Sequence, residues 1–384
     1  MNRKKIWLAL LLAPMLLAIQ AAVAIADPPP PVRGYATHVQ LHSDQAVYVS
    51  LASNGNANTI RDEAQWAAIE QTEGVFDWTE PDNIVTLAAE RGMRVLLLAY
   101  TSPMWASGET ETNPFWFAAP PLDPADYGVF AGKLAERYGA GGTFWAENPT
   151  LTETPLAGIE IWNEPNADGH WGGYPADPEH YTDMLQAAYT SIKAEDPSMP
   201  VVVGGLAAVN AYDPETTCQL TLEGVNPVRF LEEMYANGAA GYFDAVGWHP
   251  YVFDFTGEST MPELLEYDEC STWSQMAETP VSARSLMIDN GDGAKKIWAT
   301  ELGIPTCTFF AIYPCVSGVE QAELLTTEFD LWTTFDWAGG FIVYDLRDDC
   351  LSPLEVQCNF GVVTALLGIQ KQAYGELATA WANE

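Results

Sequence analysis

The sequence predicts an α/β fold, a single-domain (β/α)8 barrel with enlarged loops after the strands. Short apolar runs alternate with amphipathic helical patterns about eight times along the chain. Runs such as VLLLAY (95–100) and VVVGGL (201–206) are apolar throughout, as expected for parallel strands covered on both faces. A doubly wound open sheet is the alternative, but no Gly-rich phosphate loop follows the first strand.

The elements follow one another without a linker, charge run or sequence repeat. The candidate strands are 35–41, 59–62, 94–100, 158–162, 201–206, 243–248, 297–300 and 340–346. Helical patterns occupy 82–91, 125–138, 178–195, 227–237, 319–332 and 371–382. Asn226 followed by Pro227 is typical of an N-cap with proline at the first helical position.

The first 26 residues have the pattern of a secretory signal peptide. A basic start (Arg3 to Lys5) precedes an apolar run at 6–19 and a small-residue site that ends at Ala26. An uncleaved anchor is the alternative, although the run is short for a span of ~20 residues. We therefore expect a Pro-rich leader at 27–34, a catalytic domain at 35–384 without a membrane span, and an extracellular or periplasmic location.

The charge balance excludes one class of partner. The 384 residues include 52 Asp+Glu and 16 Lys+Arg, which gives a net charge of -36. Such a field repels phosphate backbones, so nucleic-acid binding is excluded. A hydrophobic content of 48% is sufficient for a large core, so the acidity does not indicate disorder.

Six cysteines in an exported chain indicate disulfides. They are Cys218, Cys270, Cys307, Cys315, Cys350 and Cys358. Fifteen pairings are possible. The close spacings favour Cys307–Cys315 and Cys350–Cys358, which leaves Cys218–Cys270. Zinc binding is the alternative, but no CxxC or paired His accompanies them.

Functional side chains of a (β/α)8 barrel lie where its strands end. The predicted strand ends carry a polar and aromatic set: Arg61, Asn163, Glu164, His249, Tyr251, Glu301 and Tyr344. Two glutamates at strand ends can face each other across the barrel mouth. Glu160, inside strand four, is expected to point into the barrel in a paired structural role.

Several of these residues stand in motifs that resemble glycoside hydrolase clan A. IEIWNEPN (159–166) resembles its strand-four acid/base motif, IWATELGIP (297–305) its strand-seven nucleophile motif, and VGWHPY (246–251) its strand-six segment. Segment 60–78 is similar to the strand-two region of families 39 and 5. Segment 360–377 is similar to the closing segment of family-39-like members. The resemblance runs through nearly the whole chain after residue 26.

The resemblance implies roles for three residues. Glu164 would be the acid/base, Glu301 the nucleophile, and Asn163 would bind the sugar 2-hydroxyl. In a retaining enzyme the two carboxyl groups lie ~5–5.5 Å apart. If Arg61 approaches Glu301, it would favour the ionised carboxylate.

His249 and Tyr251 could donate hydrogen bonds near the same carboxylate. Structural roles remain the alternative for Arg61, His249 and Tyr251.

Aromatic side chains near the predicted loops are candidate sugar platforms, because pyranose faces stack on aromatic rings. Trp105 and Trp171 are the favoured walls of the sugar subsites, with a core position as the alternative. Tyr344 stands where many family 5 members have a tryptophan, which weakens a cellulase interpretation. Long loops after strands three, four and six indicate a cleft, which favours internal cleavage of a polymer.

These observations predict a secreted, retaining β-glycosidase that acts within a polysaccharide or oligosaccharide, with no cofactor and no metal. An exo-acting β-xylosidase or β-glucosidase is one alternative, and a noncatalytic carbohydrate-binding barrel is another. The acidic chain favours a neutral glycan, unless the cleft is locally basic around Arg61. The sequence leaves the sugar, the linkage and the oligomeric state open.

Overall fold

Eight parallel strands form a closed barrel. The computed structural model describes residues 31–37, 42–209, 223–252, 267–306, 315–352, 355–365 and 368–383. Each strand pairs with the next, and the last pairs with the first. The strands are β1 (Arg33–Ala36), β2 (Thr59–Gln65), β3 (Arg94–Tyr100), β4 (Gly158–Ile161), β5 (Val201–Leu206), β6 (Ala245–Trp248), β7 (Lys296–Leu302) and β8 (Ala338–Val343). The predicted (β/α)8 barrel is confirmed.

Helices connect the strands and cover the outside of the barrel. Those in the described residues are α1 (His42–Asn54), α2 (Trp66–Ile69), α3 (Thr79–Ala89), α4 (Met104–Ser107), α5 (Pro124–Tyr138), α6 (Thr143–Glu147), α7 (Pro178–Glu195), α8 (Pro227–Ala236), α9 (Thr272–Ala277), α10 (Ala283–Asp289), α11 (Gly318–Thr333) and α12 (Gln372–Ala382). Val32–Glu384 form one compact unit. No described helix is long and apolar enough to cross a membrane.

Three outer helices begin at an Asx-Pro pair. Asp123, Asp177 and Asn226 each accept hydrogen bonds from backbone N–H groups of the first turn of α5, α7 and α8. The proline that follows has no N–H to leave unpaired at this position. The N-cap predicted at Asn226 is confirmed.

The predicted boundaries differ most around β1 and β2. β1 begins at Arg33, two residues before the predicted start, and ends at Ala36 rather than at residue 41. The next described element is α1, which was not predicted although its buried residues recur at helical spacing: Gln45, Tyr48, Val49 and Ala52. β2 continues to Gln65, three residues beyond its predicted end, so Glu63 and Gln65 extend it towards the barrel mouth.

The core has two layers because strand side chains alternate between faces. Leu96, Val202 and Ile342 belong to a small cluster, whereas both sequence neighbours of each belong to the large cluster. The small cluster therefore lies inside the barrel, and the large one fills the space between strands and helices. This arrangement leaves the carboxyl ends of the strands for polar side chains.

One predicted disulfide is confirmed. Cys350 and Cys358 are bonded, with their Cα atoms 5.0 Å apart. Cys270 and Cys315 are also disulfide-bonded. Cys218 and Cys307 lie outside the described residues, as do the predicted signal peptide and residues 27–30 of the predicted leader.

Candidate active site

Polar side chains converge at the carboxyl ends of four strands. Arg61 lies in β2 and Glu301 in β7, while Glu164 follows β4 and Tyr251 follows β6. Because all carboxyl ends of a parallel barrel meet at one rim, residues distant in sequence come into contact there. The site is therefore assembled by the barrel rather than by one loop.

Arg61 is the central cation of the site. Its Nε lies 2.6 Å from Oε2 of Glu160, its Nη1 2.6 Å from Oε1 of Glu301, and its Nη2 3.0 Å from Oδ1 of Asn163. Burial alone would lower the pKa of Arg61, but its two carboxylate partners raise it, so the guanidinium stays charged. The condition stated for Arg61, an approach to Glu301, is met. With 4% of its surface exposed, Arg61 holds protein groups in place, and its role in substrate binding stays a prediction.

Glu160 supports Arg61 from inside the barrel. The residue is completely buried, its Oε2 pairs with Arg61, and its Oε1 accepts the backbone N–H of Gly205 at 3.0 Å. A buried carboxylate is stable only when it is paired and hydrogen-bonded in this way. The paired structural role expected for Glu160 is confirmed.

Glu301 is held by donors on both oxygens. Oε1 accepts from Arg61, and Oε2 accepts from the Tyr251 hydroxyl at 3.0 Å. Nδ1 of His249 lies 3.7 Å from Oε2. Burial and the Glu301 charge raise the pKa of Tyr251, which keeps its hydroxyl a proton donor. The expected contact of Tyr251 with this carboxylate is confirmed.

Glu164 lies between two histidines. Its Oε1 is 2.8 Å from Nδ1 of His249, and its Oε2 is 2.9 Å from Nε2 of His170. Burial would raise the pKa of Glu164, but the neighbouring His170 and His249 outweigh it and lower that pKa. Glu164 has a left-handed backbone with φ of 47°, a conformation that costs energy for a non-glycine residue.

His249 contacts Glu164 more closely than Glu301. Its Nε2 is buried and has no partner among the described residues. Because an unpaired N–H is rarer in proteins than an unpaired acceptor, we assign the proton to Nδ1, which then donates to Glu164. The sequence led us to expect a hydrogen bond from His249 near Glu301, but its Nδ1 lies 3.7 Å from that carboxylate and 2.8 Å from Glu164.

The sequence prediction missed two residues, His170 and Tyr100. His170 stands in the loop after β4, where Nδ1 lies 2.9 Å from the Tyr100 hydroxyl and 3.4 Å from Nδ2 of Asn163. Tyr100 is the last residue of β3. The position of His170, six residues after Glu164, was a signal that could have indicated a site residue, since the chain has only five histidines.

The favoured aromatic walls occupy different environments. Trp171 is 2% exposed and packs edge-on against Trp162 and Tyr181, so its face is not available to a sugar. This placement corrects the predicted wall. Trp105 is half-buried, and its Nε1 donates to the carbonyl of Glu70 at 2.9 Å. Its role as a wall stays a prediction.

Tyr344 lies at the end of β8, on the Tyr251 side of the site. Its ring and that of Tyr251 both pack edge-on against Phe360, with centroids 5.5 Å and 5.9 Å away. Only 8% of Tyr344 is exposed. Substrate contact by Tyr344 stays a prediction, as does the binding of a sugar 2-hydroxyl by Asn163.

One group of donor atoms in the site has the spacing of a metal site. Single donor atoms of Glu164, His249 and Glu301 all lie within 4.8 Å of one another. The guanidinium of Arg61, 2.6 Å from Glu301, already provides a cation at this carboxylate. The absence of a metal stays a prediction from the sequence.

Comparison with known proteins identifies the fold. No protein-family model and no curated protein matches the sequence. A family 39 glycoside hydrolase from the gut symbiont Bacteroides cellulosilyticus WH2 is similar in structure, with a TM-score of 0.62 and 19% identity. The match covers 91% of this chain and 63% of that protein, so this chain spans less than two thirds of its length.

Two further solved structures are similar. GH5_18 from Streptomyces cattleya, in complex with GlcNAc, has a TM-score of 0.60 and 16% identity, over 92% of this chain and 81% of that one. A monomeric β-xylosidase from Caulobacter crescentus CB15 has a TM-score of 0.55 and 17% identity, over 91% and 68%. The resemblance to families 39 and 5 is thus confirmed for the fold.

Proposed function

We propose that this chain is a retaining β-glycosidase in which Glu164 is the general acid/base and Glu301 the nucleophile. The spacing of these carboxylates supports the proposal, because an oxygen of one lies within 4.8 Å of an oxygen of the other. Retaining enzymes place the two groups about 5–5.5 Å apart, whereas inverting enzymes need about 6.5–9.5 Å for a water molecule. The glycoside hydrolase neighbours carry the same fold.

We propose a role for each group in a double displacement. Glu301, held by Arg61 and Tyr251, attacks the anomeric carbon while Glu164 protonates the leaving oxygen. A water then gives its proton to Glu164 and displaces Glu301 from the sugar. Arg61 stabilises the charge of Glu301 before its attack and again as it leaves the sugar, and it keeps the carboxyl group aligned, which lowers the cost of orienting the nucleophile.

We propose internal cleavage of a polymer, on the basis of exposed aromatics in the loops after β3 and β4. Phe115, Phe117 and Tyr174 are 44%, 41% and 50% exposed. Nδ2 of Asn113 donates to the carbonyl of Gly172 at 3.1 Å, which joins the two loops. Exposed rings next to a barrel mouth suit the faces of several sugar units.

The charges of the site favour a neutral glycan. An anionic polymer would fit only if Arg61 made the cleft locally basic. The guanidinium of Arg61 is already bound by Glu160, Glu301 and Asn163. The charge of Arg61 is therefore not available to a sugar carboxylate. A net charge of -36 over the whole chain adds to this preference.

We propose that the protein is secreted after cleavage near Ala26. The signal-peptide pattern carries this proposal. The disulfide between Cys350 and Cys358 supports it, because disulfides persist in oxidising compartments.

Replacement of Glu301 by glutamine tests the nucleophile. Glu301→Gln removes the attacking oxygen but keeps the size, so turnover should fall on the order of 1000-fold or more with an unchanged fold. Wild-type protein is first assayed on a panel of neutral β-linked polysaccharides and aryl β-glycosides, with products sized and their anomers read by NMR. Glu323→Gln, on the exposed side of α11, is the matched control.

Four outcomes of this experiment contradict parts of the proposal. Full activity of Glu301→Gln rejects the nucleophile, and initial inversion of the anomer rejects the retaining mechanism. Release of single sugars from the start favours the exo-acting alternative, which the β-xylosidase neighbour also represents. A wild-type protein that binds the panel without any turnover is a carbohydrate-binding barrel.

A further inference from the structure

If Glu164 is the general acid, the source of the proton that it donates has to be explained, and His170 provides one. A general acid must carry a proton when the substrate arrives. Both oxygens of Glu164 face a histidine nitrogen within 2.9 Å, and such contacts favour the carboxylate. The proton for the leaving oxygen must therefore be stored close to Glu164 but not on it.

The two histidines differ in their suitability as that store. His249 is completely buried, and protonation of both nitrogens would leave an N–H at Nε2 without a partner among the described residues. His170 has about a third of its side chain exposed, and both its nitrogens have partners: Glu164 at Nε2 and Tyr100 at Nδ1. A tyrosine hydroxyl can accept as well as donate, so His170 can exist in both protonation states.

We propose that His170 is the proton reservoir of Glu164, on the basis of the 2.9 Å contact between its Nε2 and Oε2 of Glu164 and the Tyr100 hydroxyl behind its Nδ1. This inference rests on the proposed glycosidase function. His170 acts through Glu164 and is a positioning residue, since it does not touch the reacting atoms. Of the two described histidines at Glu164, only His170 has a hydrogen-bonding partner at each ring nitrogen.

The proton balances over one turnover. In the first step Glu301 bonds to the anomeric carbon, the glycosidic C–O bond breaks, and Glu164 passes the proton from His170 to the leaving oxygen. In the second step the attacking water gives a proton to Glu164, which returns it to His170, while the bond to Glu301 breaks. His170 is thus protonated before and after each cycle.

The surrounding charges suit an imidazolium at His170. Glu164, Glu301 and Glu63 all act on this ring and raise its pKa, against the opposite effect of burial. Tyr100 and Asn163 are its neutral neighbours. Because His170 and Glu164 interact strongly, the pair holds one proton in common across neutral pH.

Leaving-group dependence tests the reservoir. A dinitrophenolate leaves without protonation, whereas a phenolate or a sugar alkoxide needs the proton. His170→Leu should reduce kcat/KM about 10- to 100-fold for phenyl β-glycosides. The loss should be less than about 3-fold for 2,4-dinitrophenyl β-glycosides, which need little acid catalysis. The glucoside and xyloside series are both assayed, and His180→Gln is the matched control because His180 binds the carbonyl of Pro121 instead.

The pH profile gives a readout that a merely structural role would not change. Without His170 only the carboxyl of Glu164 can hold the proton, so the alkaline limb of kcat/KM should move to lower pH by about one unit or more. Tyr100→Phe removes the partner of Nδ1 and should give a smaller change in the same direction. An unchanged limb, or equal losses on both leaving groups, overturns the proposal.

An NMR titration decides the proposal without any substrate. The His170 ring should titrate above the ordinary value of about 6.5, and its midpoint should fall in Glu164→Gln. A midpoint at or below the ordinary value overturns the reservoir even if the glycosidase function holds. If Glu301→Gln loses turnover while His170→Leu retains it on every leaving group, the glycosidase function holds and the proton reservoir is rejected.

Discussion

Gly205 in β5 shows how a single residue shapes the candidate active site. Its backbone N–H donates to Glu160, and its carbonyl accepts from the N–H of Glu164 at 3.1 Å. A Cβ at this position would lie 1.9 Å from Nε2 of His249. The absent side chain therefore provides the space in which His249 reaches Glu164.

Replacement of Gly205 by alanine should displace the His249 ring. We expect Gly205→Ala to reduce kcat/KM about 10- to 100-fold, because small displacements of catalytic groups are costly. Gly375→Ala is the control, since a Cβ in that helix meets no atom within 4 Å and φ is not positive there. Steady-state kinetics together with circular dichroism check this, and wild-type kinetics in a folded Gly205→Ala protein would contradict the role of Gly205.

Residue-scale prediction from the sequence was accurate where a side chain stands at a strand end. Glu164 and Glu301 stand beside the ends of β4 and β7, as the sequence predicted, whereas Arg61 lies four residues before the end of β2. Trp171 was misplaced, since its position in the loop after β4 does not reveal that its ring turns into the core against Trp162.

The helix α11 contains a buried carboxyl that the proposed chemistry does not use. Glu328 is 1% exposed, and its Oε2 has no hydrogen-bond partner in the described residues. Burial raises the pKa of Glu328 from 4.5 to about 8. Between these values the unfolded chain has lost the proton that the folded chain keeps, so stability falls as the pH rises from about 4.5 to 8.

Replacement of Glu328 by methionine should remove this dependence of the stability on pH. Glu328→Met keeps the length without an ionisable group, and should stabilise the fold at pH 8 by an amount on the order of a few kcal/mol. At pH 4.5 the stabilisation should be much smaller. Thermal unfolding at both pH values measures it, with Glu323→Met on the exposed face of α11 as the control. A gain of equal size at both pH values would contradict the ionisation argument.

Most boundaries of the elements followed from local signals. The Asn226-Pro227 pair marked the start of α8, because a cap is a sequence-local interaction. The helix α1 was missed although its buried residues recur at helical spacing, since its buried face contains the polar Gln45.

At the scale of the whole molecule the acidic surface dominates. With a net charge of -36, the folded chain experiences self-repulsion that salt reduces. The proposed chemistry uses only two carboxylates, so the excess acts mainly through this repulsion. We infer that the fold is suited to a saline setting.

Salt should therefore stabilise the protein. Raising sodium chloride from about 0.05 M to about 1 M shortens the screening length roughly from above 10 Å to 3 Å, and should raise the thermal midpoint at pH 7.5 by several degrees, on the order of 5 °C. The same series at pH 5, closer to the pI of about 4.1, is the control and should show a smaller rise. A midpoint indifferent to salt at pH 7.5 would contradict the saline inference.

The sequence by itself determined the barrel, the order of its strands and the two glutamates at the ends of β4 and β7. These features depend on short-range patterns: apolar runs, caps, and motifs that stand beside a strand end. Only the tertiary structure decided that Arg61 is enclosed by Glu160, Glu301 and Asn163, that Trp171 lies in the core, and that His170 reaches Glu164. The physical reason is that these contacts join different strands and loops, and the direction in which a side chain points there depends on packing that no local pattern records.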